Sequence, residues 1–158
     1  MSVQPPAASP PVAGDAQQLA ERVVAAMLER DAFSKWLGIE VTDLAPNEVT
    51  VRMTVRPEMA NGFGVCHGGI AFSLADSALA FASNTHGRVT MSIENSIRYP
   101  APILPGDVLT ATAVEESAGR RLAFFTATVR KANGEVVGLF RGTVYRTSKD
   151  HFPTEKTS

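Results

Sequence analysis

The sequence predicts an α+β domain in which an antiparallel β-sheet wraps around a central helix at about residues 68–86, with an additional helix near the N-terminus. Residues 70–84 are apolar on nearly every side, which indicates a buried helix. Two segments before them and three or four after them alternate apolar and polar residues, which is typical of strands. An antiparallel sheet must cover its apolar face, and the central helix is the element apolar enough to do so.

The N-terminal helix is predicted to begin at Asp15, a residue type suited to an N-cap, because Leu19 and Val23 follow at helical spacing. An aromatic turn at residues 33–37 is expected to continue this helix to Gly38, where a glycine favours a helix end.

The predicted strands come before and after the central helix in the sequence, and we expect this helix to end at residue 86 with Gly87 as its C-cap. Asn133-Gly134 is typical of the tight turn of a β-hairpin between the last two strands. The exposed edge strands of such a sheet favour oligomerisation by sheet extension. The alternating segments are residues 39–44, 48–56, 89–99, 108–117, 122–131 and 136–147.

The length of 158 residues predicts one domain, which we place at residues 15–148. Residues 1–14 hold four of the ten prolines and no lysine or arginine, so we expect a disordered tail rather than a secretory signal. Residues 149–158 are polar and are predicted to form a second disordered tail.

Composition limits the functional classes. A formal net charge of −1 without a basic stripe argues against a nucleic-acid partner, and no apolar run reaches the ~18 residues of a membrane span. The single cysteine, Cys66, excludes an internal disulfide and a multi-cysteine metal site. We therefore expect a cytoplasmic protein that is not membrane-bound.

The chemistry-bearing segment is a glycine-rich loop that runs into the central helix. Ser73, Asp76, Ser77 and Ala80 recur at three- and four-residue spacing, so they share one stripe of the helix. A carboxylate in such a helix loses hydration and needs hydrogen bonds, a counter-charge or a wet cavity. A structural acid is the alternative interpretation, but the position favours a functional one.

Three short motifs resemble the PaaI group of acyl-CoA thioesterases, which have the hotdog fold. These motifs are Asn61-Gly62, Cys66-His67-Gly68-Gly69 and the FSLAD segment that ends at Asp76; the FRGTVYR segment at 140–146 also matches. The resemblance spans residues 33–146. It implies hydrolysis of small aryl- or arylacetyl-CoA thioesters such as phenylacetyl-CoA or hydroxyphenylacetyl-CoA, with CoA as part of the substrate and with no other cofactor and no metal.

The resemblance also implies catalytic roles. Asp76 would attack the thioester carbonyl or activate a water molecule as general base. The backbone N–H of Gly68 would donate to the developing oxyanion at the helix N-terminus. Asn61 would polarise the carbonyl or position water, His67 would support the loop, and Ser77 would be a polar group beside the acid.

The substrate-binding positions follow from the same resemblance. Group members often carry an arginine where Ala101 stands here, so the contacts to the nucleotide end of CoA pass to Arg98, Arg141, Arg120 or Arg121. The residues assigned to substrate binding are Gly69, Phe63, Phe72, Asn95 and Arg141.

The two halves of the site are expected to meet across a dimer interface. Gly68 and Asp76 are eight residues apart, which is about 12 Å along a helix, so one subunit cannot easily bring both to one carbonyl. Gly68 of one subunit would then face Asp76 of the other. We expect a homodimer or homotetramer.

Other sites and functions are less well supported by the sequence. Cys66 and His67 are adjacent on an extended loop and point to opposite sides, which argues against a Cys-His nucleophile. A metal site of His67, Asp76 and His86 fails on spacing. A hotdog enoyl-CoA hydratase or dehydratase, or a non-catalytic acyl-CoA-binding module, remains the alternative function.

Overall fold

A computed structural model describes residues 13–153. Of the tails predicted at 1–14 and 149–158, residues 1–12 and 154–158 lie outside the described residues, whereas residues 13 and 14 belong to the first helix. Two helices precede the first strand, and a short 3₁₀ turn, Pro57–Met59, precedes the central helix. The elements are α1 (Ala13–Arg30), α2 (Ala32–Leu37), β1 (Glu40–Ala45), β2 (Glu48–Thr54), α3 (Gly68–Asn84), β3 (Arg88–Arg98), β4 (Val108–Ala118), β5 (Leu122–Lys131) and β6 (Val136–Asp150).

The six strands form one antiparallel sheet in the order β1-β2-β4-β5-β6-β3, which leaves β1 and β3 as its edges. Helix α3 packs against five of these strands, from β2 to β6. The predicted architecture, a sheet wrapped around a central helix with an added N-terminal helix, is therefore confirmed.

The core lies between α3 and the inner face of the sheet. Val49, Val51 and Met53 of β2 are almost fully buried, as the alternating pattern predicts. Inward positions on β4 and β5 include small alanines, which let the helix approach closely, and Phe125 and Phe140 fill the remaining space. Burying a side chain of this size stabilises the fold by about 1.5–3 kcal/mol.

The N-terminal helical region differs from the prediction in two places. Helix α1 begins at Ala13, so Asp15 lies in its first turn and is not its N-cap. The aromatic turn is a separate helix, because the Asp31 side chain accepts a hydrogen bond from Ser34 N at 2.9 Å and caps α2. Gly38 ends α2 as predicted, with a left-handed φ of 74°.

Helix α3 ends at Asn84, two residues before the predicted end, with Thr85 as its C-cap. Gly87, with φ of 88°, turns the chain into β3. Strand β6 runs to Asp150, beyond the predicted domain end at 148. His151 is held by hydrogen bonds from its backbone N to Gly87 O at 2.8 Å and between its Nε2 and Asn84 Oδ1 at 2.7 Å.

No helix within residues 13–153 is both long and apolar enough to cross a membrane.

Candidate active site

The loop before α3 is shaped by Asn61. Its Oδ1 accepts a hydrogen bond from Phe63 N at 2.9 Å, and its backbone N donates to Val65 O at 2.7 Å. Gly64 N donates to Asn61 O at 3.0 Å, and Gly64 adopts a φ of 78°, which favours glycine. Asn61 therefore closes a tight turn that leads into the N-terminus of α3.

His67 is the N-cap of α3. Its Nδ1 accepts a hydrogen bond from Gly69 N at 3.0 Å. This bond requires an unprotonated Nδ1, so the neutral ring carries its proton on Nε2. Ile70 N donates to His67 O at 2.9 Å. Within residues 13–153, no acceptor meets the backbone N–H of Gly68. The helix start thus presents one unpaired N–H, at Gly68, where the helix dipole favours negative charge.

Tyr99 binds the carbonyl group of Gly68. Its hydroxyl donates to Gly68 O at 2.8 Å, and a Cβ added at Gly68 would lie 3.1 Å from the Tyr99 ring. Burial raises the pKa of Tyr99, with a further contribution from Cys66, so the hydroxyl keeps its proton and remains a donor. Gly68 is therefore fixed by Tyr99 through its carbonyl while its N–H stays available.

Asp76 lies eight residues after Gly68 on α3, and its side chain is half-buried. Its Oδ1 accepts a hydrogen bond from Asn95 Nδ2 at 2.8 Å, and Asn95 Oδ1 accepts one from Ser92 Oγ at 2.8 Å. Burial raises the pKa of Asp76, and the hydrogen bond from Asn95 lowers it. The Asn95 amide therefore orients the carboxylate and stabilises its charged form, while the surroundings keep it more basic than a solvated aspartate.

Gly142 makes room for this pair. It is the β6 partner of Asn95, on the face of the sheet that faces α3. A Cβ at Gly142 would lie 2.5 Å from Leu79 Cδ1 and 2.7 Å from Asn95 Oδ1. A side chain at this position would therefore displace the amide that holds Asp76.

The predicted stripe of α3 is the part of the helix that the sheet leaves uncovered. Ser73, Asp76, Ser77 and Ala80 are all partly exposed, in contrast to the buried positions on the opposite side of α3. Ser77 Oγ lies 3.3 Å from Ser34 Oγ of α2, so Ser77 turns toward the N-terminal helices. Asp76 turns instead toward the edge strand β3, through Asn95.

The residues assigned to substrate binding are spread over different surroundings. The side chain of Phe63 is 92% exposed at the loop, and Phe72 packs edge-on against Phe140 with ring centroids 5.4 Å apart. Gly69 uses its N–H to bond His67. Arg141 neighbours Gly142 on β6 and is exposed on the opposite face of the sheet from α3, away from Asp76.

Cys66 lacks the properties of a nucleophile. The thiol is buried, and burial raises its pKa to about 11, with a further contribution from Asp107. The imidazole Nδ1 of His67 bonds Gly69 N instead of the thiol. Among the described residues, no cluster of three or more His, Cys, Asp or Glu side chains could hold a metal ion.

The structure thus forms two polar groups on α3. His67 caps the helix start beside the unpaired Gly68 N–H, after the turn that Asn61 closes. Asn95 holds Asp76 eight residues, about 12 Å, further along the helix. Sequence reasoning missed Tyr99, Ser92 and Gly142, which position these groups. For Gly142, the FRGTVYR segment was the available signal.

Comparisons with known proteins find relatives that cover most of this chain. The Thioesterase superfamily model matches residues 63–138. A putative esterase from Archaeoglobus fulgidus is 38% identical over 87% of this chain and 89% of its own length. Acyl-coenzyme A thioesterase PaaI from Escherichia coli is 38% identical over 77% of this chain and 86% of its own length.

Solved structures are similar over most of the chain. The E. coli PaaI protein superposes with a TM-score of 0.83 at 35% identity, covering 85% of this chain and 97% of its own. A mutant of the phenylacetic acid degradation protein PaaI from Thermus thermophilus gives a TM-score of 0.71 at 39% identity, covering 74% of this chain and 100% of its own.

Proposed function

Because this chain belongs to the thioesterase superfamily and is an acyl-CoA thioesterase of the PaaI type, we propose that it hydrolyses small aryl- or arylacetyl-CoA thioesters to the free acid and CoA. Phenylacetyl-CoA and hydroxyphenylacetyl-CoA are the proposed substrates. The observation that carries the proposal is a half-buried carboxylate, Asp76, held by Asn95 on the uncovered stripe of α3.

In this proposal Asp76 is the catalytic carboxylate. In one route a carboxylate oxygen attacks the thioester carbonyl carbon, CoA leaves as the thiolate, and water hydrolyses the resulting anhydride. In the other, Asp76 takes a proton from water, the water oxygen attacks the carbonyl, and the proton passes to the departing sulfur. Burial raises the pKa of Asp76 and so makes its carboxylate a stronger base, and the hydrogen bond from Asn95 orients this carboxylate for both routes.

The oxyanion donor is the N–H of Gly68, which the local structure leaves unpaired while His67 caps the next N–H. The distance of about 12 Å between Gly68 and Asp76 along one helix supports a site formed by two subunits. We place Gly68 of one subunit opposite Asp76 of the other in a homodimer, with a homotetramer as the full assembly. Asn61 shapes the loop that presents Gly68, and Ser77 is a secondary polar group near the acid.

The choice of an aryl substrate rests on two supports. The E. coli PaaI protein comes from a phenylacetic acid degradation operon. In this chain, Phe72 and the exposed Phe63 are aromatic side chains beside the loop and helix of the site, and such rings suit an aromatic acyl group. A cytoplasmic location is part of the proposal, supported by the single cysteine of the chain.

Asp76→Asn tests the proposal, because asparagine keeps the shape of the side chain and can still accept from Asn95 but cannot act as base or nucleophile. We expect kcat for phenylacetyl-CoA to fall by about 10²–10⁴-fold, measured as thiol release with a thiol-reactive dye. The panel includes hydroxyphenylacetyl-, benzoyl- and straight-chain acyl-CoAs.

The matched control is Asp43→Asn, which removes an equal charge from the exposed edge strand β1 and should leave kcat unchanged. Full activity in a folded Asp76→Asn variant would remove Asp76 from the mechanism. If the wild type cleaves no thioester in the panel, the hydrolase proposal fails, and an enoyl-CoA hydratase assay becomes the next measurement.

A further inference from the structure

Four arginines line one cleft at the end of the sheet near the C-terminus of α3. Arg88 begins β3, Arg120 and Arg121 lie at the β4–β5 turn, and Arg146 lies on β6. Together with Tyr145 they border a cavity of about 500 Å³. None of the four belongs to the Gly68 and Asp76 groups described above.

The positive charge of this arginine cleft is only partly balanced. Arg146 Nη2 pairs with Glu115 at 2.7 Å. Arg88, Arg120 and Arg121 form no ion pair within 4.0 Å among residues 13–153. The protein as a whole carries a formal net charge of −1, so the accumulation of guanidinium groups here is local.

The cleft is held by paired backbone. Arg146 N donates to Arg121 O at 2.7 Å, and Gly119 N donates to Leu122 O at 2.7 Å across the β4–β5 turn. Arg146 Nη1 also donates to Gly119 O at 3.3 Å. The guanidinium groups therefore project from a hydrogen-bonded hairpin and its neighbouring strand, so a ligand would not have to order the backbone when it binds.

An adjoining cavity of about 410 Å³ shares Arg88, Arg120 and Arg146 and includes His86 and Asp150. The pKa of His86 is lowered to about 4 by burial and then by the charges of Arg146 and Arg88. Loss of hydration is the main cause of this shift, and the two arginine charges add to it because they disfavour a charged imidazole beside them. The Asp150 carboxylate lies at the border but forms no ion pair within 4.0 Å among the described residues.

We propose that the arginine cleft of Arg88, Arg120, Arg121 and Arg146 binds a diphosphate-bearing anion. Planar guanidinium groups match phosphate oxygens in bidentate hydrogen bonds, and several converging arginines suit a group with more than one phosphate. The anion is either the nucleotide end of a CoA substrate or a free diphosphate compound. In the first case the inference rests on the proposed thioesterase function; in the second it is independent of it.

The first test measures pyrophosphate binding by isothermal titration calorimetry at low ionic strength, with the double variant Arg120→Gln/Arg121→Gln. The matched control is Arg130→Gln, an exposed arginine at the other end of β5. We expect wild type and Arg130→Gln to bind equally, and the double variant to bind at least about tenfold more weakly. Equal binding by all three proteins, or an absence of binding by the wild type, would overturn the proposal.

A second test identifies the source of the phosphates. If the cleft holds the nucleotide of CoA, the double variant should raise KM for phenylacetyl-CoA about tenfold with little change in kcat. KM for the matching pantetheine thioester, which lacks the nucleotide, should not change. If KM for both thioesters is unaltered while pyrophosphate binding is lost, the ligand is a free diphosphate.

The two proposals fail in different ways. Hydrolysis of acyl-CoA by a wild type that shows no arginine-dependent binding of pyrophosphate would retain the thioesterase and reject the site. Arginine-dependent binding by a protein that cleaves no thioester would retain the site and reject the thioesterase. Folding of each variant is checked by its thermal unfolding midpoint, and both glutamine substitutions lie at exposed positions.

Discussion

At the residue scale, the properties of Asp76 come from neighbours that are distant in the sequence. Burial on α3 raises its pKa, while the amide of Asn95 on β3 stabilises its charge. Asn95 is oriented in turn by Ser92 Oγ, and the absence of a side chain at Gly142 gives its carbonyl room. The carboxylate is thus both basic and fixed in direction, which general-base and nucleophilic chemistry require alike.

Gly142→Ala should therefore impair catalysis as well as stability. Its Cβ would lie 2.5 Å from Leu79 and 2.7 Å from Asn95 Oδ1, so both side chains must move. We expect a loss of about 1–3 kcal/mol in the free energy of unfolding, typical of overpacking, and a fall in kcat because Asp76 loses its oriented partner. Denaturant unfolding and thioester hydrolysis measure the two effects.

Gly138→Ala is the matched control on the same strand. Its Cβ would lie 2.9 Å from Val129, so it should also lower stability, but its neighbours are apolar and remote from Asp76. We expect kcat per folded molecule to stay near the wild-type value. Equal losses of kcat in the two variants would show that general strain, and not displacement of Asn95, causes the effect.

At the element scale, the two ends of α3 have different roles: the proposed oxyanion donor lies at its start, and a titratable histidine, His86, follows its end. As the N-cap, His67 accepts a hydrogen bond from the N–H of Gly69, while the N–H of Gly68 stays unpaired among the described residues. At the other end, His86 Nδ1 accepts from Arg88 N at 3.3 Å as the chain turns into β3. The two ends are about 25 Å apart, from 17 residues at 1.5 Å each, so their functions are separable by mutation.

The connection between α3 and β3 should make stability depend on pH through His86. In the unfolded chain His86 binds a proton near pH 6.5, whereas burial and the neighbouring Arg146 and Arg88 lower its pKa in the fold to about 4. The unfolded state therefore binds more protons between these values. The stabilisation is present above pH 6.5 and is lost as the pH falls toward 4.

The expected loss attributable to His86 is about 1–2 kcal/mol, since solvent screens part of the penalty at a side chain that is not fully buried. The measurement is the free energy of unfolding at pH 7.5 and at pH 4.5 for wild type and His86→Gln, which cannot titrate in this range. The variant should lose less stability on acidification. An identical loss in both proteins would contradict the assignment to His86.

Local patterns predicted the elements of this fold but not all of their ends. The alternation in β2 placed Val49 and Met53 in the core correctly, because strand burial follows a period of two. The break at Asp31 was missed, since an aspartate inside an apolar pattern becomes a cap only when its side chain meets a backbone N–H. Strand β6 extends beyond its predicted end because hydrogen bonds to Gly87 and Asn84 hold His151, the residue that follows the strand.

Some residues of the site could likewise be predicted from the sequence, and others could not. Gly68 and Asp76 could be named from a contiguous motif on one loop and helix, and the structure finds them at a helix start and on its uncovered stripe. Tyr99 acts through a hydrogen bond to Gly68, which is 31 residues away in the sequence. Gly142 acts through its pairing with Asn95 across the neighbouring strands β6 and β3. Such contacts depend on the register of β3 and β6, which no local pattern in the sequence specifies.

At the scale of the whole molecule, the uncovered stripe of α3 lies beside the edge strand β3. Asp76 and Asn95 link the two, so a second copy that pairs with β3 would also cover the stripe. Exposed apolar residues on β3, Met91 and Ile93, are consistent with such a contact, because an unpaired edge with apolar side chains favours association. A site shared between two subunits predicts a specific result when two inactive variants are mixed.

The two variants are Asp76→Asn and Gly68→Pro. Proline removes the N–H of Gly68 at the first helical position, where it is tolerated, and His67 before it is already extended, with φ of −62° and ψ of 131°. Gly68→Ala keeps the N–H but adds a Cβ near Tyr99, so it controls for steric contact. We expect Gly68→Pro to lose far more kcat than Gly68→Ala.

Each variant alone should be nearly inactive. When differently tagged chains of Asp76→Asn and Gly68→Pro are co-expressed, random pairing makes about half of the dimers mixed, and each mixed dimer has one intact site. Thioester hydrolysis should then return to about one quarter of the wild-type rate per subunit, and to about one half in mixed dimers purified on both tags. An inactive mixture of folded mixed dimers would place Gly68 and Asp76 in the same subunit's site, because only a site built from two chains can be restored by exchanging them.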